Sequence, residues 1–354
     1  MDIAELLQLM VKKNISDIHF KANSAPLIRV QGELISSGFN QFTSQHIEQL
    51  AHTLMTPPQR ELFERDRELD FAYSLDTVSR FRVNVYRQRG TIALNLRVIP
   101  LGFKSFEELR LPVEVLNKLA GESRGLILFA GITGAGKTTS LNAMLNRINE
   151  QYSYNIITVE DPIEFYHTDK KSSISQREIG PDTHSYDKAL HYVLRQDPDL
   201  IVIGEMREKE EMYAGITAAE TGHLVLATIH TIDAVQTIDR FIDLAHPHQR
   251  DSIRTQLSHV IKGIIAQRLV VDKNTGMLLP TTEVLLGTSL VKKLIAEGNF
   301  SEMYQSMEQG SYYGMHTFDQ DLHRLYTQDV IAMEEALDKA SNPDDLTLRL
   351  RVGS

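Results

Sequence analysis

Apolar residues at Ile3, Leu6, Leu7 and Met10 recur at helical spacing, so the chain opens on an amphipathic helix. Segments rich in β-branched residues follow at 17–20 and 27–30, with Gly32 as a turn. The pattern over 44–54 predicts a helix capped by Thr43 or Ser44, which Pro57 and Pro58 interrupt or restart. Alternation over 69–73, 80–86 and 91–98 predicts consecutive antiparallel strands, the last two joined by a turn at 88–90. Residues 1–100 thus read as a small α+β domain, and 101–112, bounded by Pro100 and Pro112, as a linker.

The pattern then changes. A helix at 113–119 leads to an apolar strand at 126–130, a glycine-rich turn, and a helix over 137–149. Further nearly continuous apolar runs at 156–159, 200–204 and 224–229 are separated by helical stretches such as 186–195 and 208–219. Buried strands alternating with helices predict an α/β domain over 113–354, with a mostly parallel sheet covered on both faces. From about residue 290 the pattern is largely helical.

The composition adds exclusions. The 354 residues carry 37 Lys+Arg against 47 Asp+Glu, a net charge of −10, which argues against non-specific nucleic-acid binding. There is no cysteine, hence no disulfide, thiolate metal site or cysteine nucleophile. The start lacks signal-peptide features, and apolar runs such as 125–132 fall far short of the ~20 residues needed to span a bilayer. The expectation is a cytoplasmic protein whose membrane association is indirect, through a partner.

Gly131-Ile-Thr-Gly134-Ala-Gly136-Lys137-Thr138 is a complete GxxxxGK[ST] string between a predicted strand and a predicted helix. Glycines let the backbone wrap an anion with its N–H groups, so Gly131, Thr133, Gly134, Ala135, Gly136, Lys137, Thr138 and Thr139 are candidate nucleotide-binding residues. Lys137 can reach the β- and γ-phosphates, and the Thr138 hydroxyl can ligate Mg²⁺. The strand at 200–204 runs into Glu205, a candidate to hold a metal-bound water or orient an attacking one. Glu160, Asp161 and Glu164 crowd a second strand end, as expected where open α/β sheets gather ligands. His223 and His230 bracket the strand at 224–229; either could be a hydrogen-bonded core histidine, and His230 is the better placed to sense a terminal phosphate.

Taken together, these motifs resemble the ATPases of the type II/type IV secretion superfamily, in particular the PilT/PilU retraction ATPases of type IV pili. The resemblance covers essentially the whole chain. It rests on Ser16-Asp-Ile-His-Phe20, Arg80-Phe-Arg-Val-Asn84, the phosphate loop, Ile157-Thr-Val-Glu-Asp-Pro-Ile-Glu164, Gln176-Arg-Glu178 and Leu194-Arg-Gln-Asp-Pro-Asp199. Gly204-Glu-Met-Arg207, Ala219-Glu-Thr-Gly-His223 and Gly314-Met-His-Thr-Phe-Asp319 extend it. It implies a PAS-like N-terminal domain, a RecA-like ATPase core with a helical C-terminal region, and a homohexamer binding ATP and Mg²⁺ between the domains. Arg82 and Arg97 would help close that site, and Glu164 and Glu205 would both be essential. The implied partners are an inner-membrane pilus platform protein and a second retraction ATPase, at the cytoplasmic face of the pilus base.

Some positions depart from the family pattern. Ile132 stands where a proline is usual, and the AIRNLIRE segment reads Leu290-Val-Lys-Lys-Leu-Ile-Ala-Glu297, with one arginine replaced by lysine and the other lost. The tail at 341–351 is more PilU-like than PilT-like. The short first domain and the lack of a four-cysteine zinc site favour retraction over assembly. A nucleic-acid motor and a weakly hydrolysing ATP-binding modulator remain the alternatives.

Overall fold

The computed structural model describes residues 3–352 except 14, 31, 76–78 and 100–101, and excludes the side chains of 351 and 352. Residue 101 of the expected linker, and Pro100 before it, lie outside the described residues. The chain divides into two units, 1–102 with 164–166, and 103–163 with 167–354.

The first unit opens with α1 (Ile3–Lys12), which buries Leu6, Leu7 and Met10. The strands β1 (Ile15–Lys21), β2 (Leu27–Val30) and β3 (Glu33–Ser36) come next. Thr43 caps α2 (Ser44–Leu54) by accepting the backbone N–H of His46. Pro57 and Pro58 then start α3 (Pro57–Asp66), where the missing proline N–H costs nothing. The strands β4 (Glu68–Leu75), β5 (Ser79–Gln88) and β6 (Thr91–Ile99) complete an antiparallel sheet in the order β3-β2-β1-β6-β5-β4. On β5, Ser79, Phe81, Val83 and Val85 are buried while Arg80, Arg82, Asn84 and Tyr86 are half-buried. That period of two gives the unit one apolar face, from which its own core is built.

The second unit is a RecA-like α/β fold. After α4 (Val113–Ala120), the strands β7 (Gly125–Ala130), β8 (Asn155–Glu160), β9 (Ser173–Glu178), β10 (Leu200–Met206) and β11 (Leu224–Ile229) pair in parallel. All six residues of β7 and of β11 are buried, as strands covered on both faces require. The connecting helices are α5 (Lys137–Gln151), α6 (Tyr186–Val193), α7 (Lys209–Glu220), α8 (Ala234–Asp243) and α9 (Arg250–Val260). Two strands that the sequence pattern leaves unassigned, β12 (Ile261–Val271) and β13 (Leu278–Leu286), form a hairpin beside β7. The sheet order among the described residues is β13-β12-β7-β11-β10-β8-β9. The helices α10 (Ser289–Glu297), α11 (Ser301–Gln309), α12 (Phe318–Thr327), α13 (Met333–Lys339) and α14 (Pro343–Val352) make the C-terminal region helical. Its Leu322, Leu325 and Ile331 form a small apolar cluster with Val270 of β12 and Leu279 of β13.

Candidate functional site

The phosphate loop leaves the buried end of β7 and opens α5. Gly131, Gly134 and Gly136 have positive φ (151°, 83° and 86°), which turns successive N–H groups inward. A Cβ on Gly131 would lie 2.7 Å from the carbonyl oxygen of Gln267 on β12, so backbone fit as well as φ demands glycine. A Cβ on Gly134 would meet nothing within 4 Å, so the cradle is open there. With the amino end of a 15-residue helix behind it, this geometry fits the phosphates of a nucleotide. Thr133 is exposed, Ala135 is buried, and Thr138 and Thr139 are half-buried on the first turn of α5.

Lys137 is 6% exposed. Its Nζ donates to the carbonyl oxygens of Gly131 at 2.8 Å and Ile132 at 3.0 Å. It also lies 3.5 Å from His230 Nδ1. On the far side of the ring, His230 Nε2 is 2.8 Å from Glu205 Oε1, and Arg207 Nη2 is 2.8 Å from Glu205 Oε2. Because the carboxylate can only accept, Nε2 carries the proton and Nδ1 faces Lys137 with its lone pair. Burial and the neighbouring Lys137 charge hold the His230 pKa below its usual value, which favours this neutral tautomer. Lys137, His230, Glu205 and Arg207 thus form one connected row at the carboxyl edge of the sheet.

A β-bulge aims Glu205. Ile203 pairs with Ala227 and Met206 with Ile229, so Gly204 and Glu205 together face Thr228. The Thr228 hydroxyl donates to the Gly204 carbonyl at 2.6 Å and pins the bulge. Gly204 is tightly enclosed: a Cβ would lie 3.2 Å from Glu160 Cα, the Tyr186 hydroxyl and the Val159 carbonyl, so a side chain would push these neighbours apart. Glu160, 6% exposed at the end of β8, accepts from Thr158 Oγ1 at 2.6 Å and Gln176 Nε2 at 3.0 Å. Burial and the charges of Asp161, Glu160 and Glu205 push the Tyr186 phenol upward, so it stays protonated among these acids.

His223 is not part of this row. It sits at the start of β11, where its carbonyl accepts from Gly125 N–H. That is the opposite end of the strand from His230, about 23 Å away by strand rise. Its Nδ1 bonds the Ala218 carbonyl at 3.0 Å. Glu164 is exposed and groups with the first unit. Within that unit Arg82 and Arg97 are cross-strand partners. Arg97 Nε donates to Asp17 Oδ1 at 2.7 Å, and Arg82 lies 3.8 Å from Asp70.

No cluster of three or more His, Asp or Glu side chains is preassembled for a metal among the described residues. Mg²⁺ rarely needs one, since it keeps waters and takes one or two protein oxygens beside nucleotide oxygens. The Thr138 hydroxyl and the Glu205 carboxylate are such a donor set. Sequence reading missed Arg207 as a site residue, and also Thr228 and Gln267. The signal for the bulge was a glycine inside an apolar strand, directly before an acid.

A phosphate loop on a RecA-like parallel sheet, with an acid at each of two adjacent strand ends, defines a P-loop ATP hydrolase. Residues 79–340 match the family model described as type II/IV secretion system protein. The chain is 38% identical over 345 residues to the type IV pilus retraction ATPase PilT of Pseudomonas aeruginosa, covering 98% of this chain and all of that one. It is 39% identical over 354 residues to the type IV pilus ATPase PilU of the same organism, covering 100% of this chain and 92% of that one. A crystal structure of the pilus retraction motor PilT with bound ADP superimposes with a TM-score of 0.92 at 36% identity, covering 98% and 99% of the two chains. The chain belongs to the type II/IV secretion system ATPases and, within them, to the PilT/PilU retraction ATPases.

Proposed function

We propose that this chain is the Mg²⁺-dependent ATPase subunit of a homohexameric motor that drives type IV pilus retraction. The observation that carries the reading is the row Lys137–His230–Glu205–Arg207 beside the phosphate loop. In this scheme the loop N–H groups and Lys137 bind the triphosphate, and Lys137 exchanges its two carbonyl partners for phosphate oxygens. Glu205, held through one oxygen by His230 Nε2–H and through the other by Arg207, orients the attacking water and accepts its proton. Thr138 and Glu205 would hold Mg²⁺, which would supply charge neutralisation at the phosphates. Glu160 and Glu164 supply further negative charge and hydrogen-bond acceptors around the water, while Arg82 and Arg97 neutralise charge developing on the transferring phosphoryl. Comparable arginines are worth about 10³–10⁵ in rate in other NTPases.

Among the described residues no helix is long and apolar enough to cross a membrane, so attachment to the membrane would come through a platform protein. On this reading the motor works at the cytoplasmic face of the inner membrane and binds no nucleic acid. The near-equal identities to PilT and PilU, with the altered segment on α10, support a second reading, an accessory motor beside another retraction ATPase. Lys137→Ala and Glu205→Gln should each lower kcat at least ~100-fold. A strain lacking the chain should carry many static pili. Wild-type turnover in both variants refutes the enzyme assignment, and bald cells refute retraction.

A further inference from the structure

Behind the phosphate loop lies a histidine that this scheme leaves unused. His167 is 5% exposed, and its ring stacks on Phe103 with centroids 4.1 Å apart and planes inclined by 22°. Its Nε2 is 2.7 Å from Asn142 Oδ1. Asn142, one turn along α5 and 2% exposed, uses its Nδ2 to donate to the Thr138 carbonyl at 2.9 Å. That bond fixes the amide orientation. Asn142 Oδ1 must then be the acceptor, and His167 Nε2 must carry the hydrogen.

The same histidine donates a second time. Its backbone N–H bonds Gln176 Oε1 at 2.8 Å, and Gln176 Nε2 bonds Glu160 Oε1 at 3.0 Å. Four hydrogen bonds therefore run from Thr138 on α5, through Asn142, His167 and Gln176, to Glu160 at the end of β8. The arrangement is costly. His167 Nδ1 is buried and has no hydrogen-bond partner among the described residues, a penalty that a phenylalanine of similar shape would avoid. Filling space does not call for an imidazole here, whereas a rigid N–H donor to Asn142 does.

We propose that His167 is a positioning residue for ATP hydrolysis, tying the Thr138 turn of α5 to the Glu160 end of β8 through Asn142 and Gln176. This rests on the ATPase reading and extends it to residues that touch neither nucleotide nor metal. Since the N–H groups of the cradle do not depend on the relay, losing it leaves ground-state binding intact and disturbs alignment during reaction. A misplacement of about 1 Å can cost about 10²-fold in rate.

The test compares variants of the full-length chain for ATP turnover and for ADP affinity by calorimetry. His167→Phe keeps the ring and removes the donor; His167→Gln keeps a donor and removes the ring. The expected result is a fall in kcat of about tenfold or more for His167→Phe, with the ADP Kd within about twofold of wild type. His167→Gln should retain more than about half of the wild-type kcat. Asn142→Leu should match His167→Phe, and the double variant should be no slower than the slower single one, as residues of one chain are not additive. A wild-type kcat in His167→Phe, a parallel loss of ADP affinity, or multiplicative effects in the double variant would overturn the proposal. If His167→Phe does not fold, Asn142→Leu alone decides between the same outcomes. Wild-type protein that neither binds ADP nor turns over ATP would instead overturn the underlying enzyme assignment.

Discussion

The burial of His167 can be read out by titration. Desolvation, with Lys170 nearby, lowers its pKa from 6.5 to about 3. As pH falls through 6.5 the unfolded chain takes up a proton that the folded chain refuses. The stability tied to this group is therefore complete above pH 6.5 and is lost progressively down to about pH 3. One pK unit corresponds to about 1.4 kcal/mol, so the loss reaches about 2 kcal/mol at pH 5 and about 5 kcal/mol across the window. His167→Phe cannot titrate. Urea unfolding of both proteins at pH 7.5 and 5.0, followed by ellipticity because the chain has no tryptophan, isolates the effect. The half-buried His316 and the more exposed His230, both also depressed, are present in the two proteins and cancel. The wild type should lose about 2 kcal/mol more than the variant between these pH values. Equal losses would mean that the imidazole is hydrated in solution, and the account of its burial would be wrong.

Two further outcomes follow from the geometry. Gly131→Ala drives a Cβ to 2.7 Å from the Gln267 carbonyl at a φ of 151°, so nucleotide affinity should fall at least ~30-fold; near-normal ADP binding by calorimetry would show that the loop accommodates a side chain. Glu283, 1% exposed on β13, accepts the first N–H of α8 from Ala234 at 2.9 Å, and burial raises its pKa to about 7. Its contribution is present below pH 4.5 and lost as pH rises to 7, about 3 kcal/mol in all. Glu283→Gln should therefore raise the melting temperature at pH 8 relative to that at pH 5, and an unchanged difference would count against this.

Much of this was legible in the chain. The phosphate loop, the strand running into Glu205 and the segment ending at Glu160 announce themselves through local composition, and the buried strands through unbroken apolar runs. The hairpin of β12 and β13 was not legible, because its partly polar strands lack a period that separates them from neighbouring helices. The row from Lys137 to Arg207 joins residues far apart in sequence, a relation that spacing does not encode. His223 shows the converse limit: two histidines framing one strand look equivalent in sequence, yet strand rise puts them about 23 Å apart. Asn142 and His167 carried no signal, since single polar residues beside apolar ones usually satisfy only their own surroundings, and Gln176 entered only through the Gln176-Arg-Glu178 motif, with no role attached to it.

The extra residue at Gly204 interrupts the ladder between β10 and β11 where the strand delivers its acid. Regular pairing and the direction of that acid are in conflict at this point. Excising the glycine would restore regular pairing with β11 and misdirect Glu205. At this position regular pairing is given up for the direction of one carboxylate.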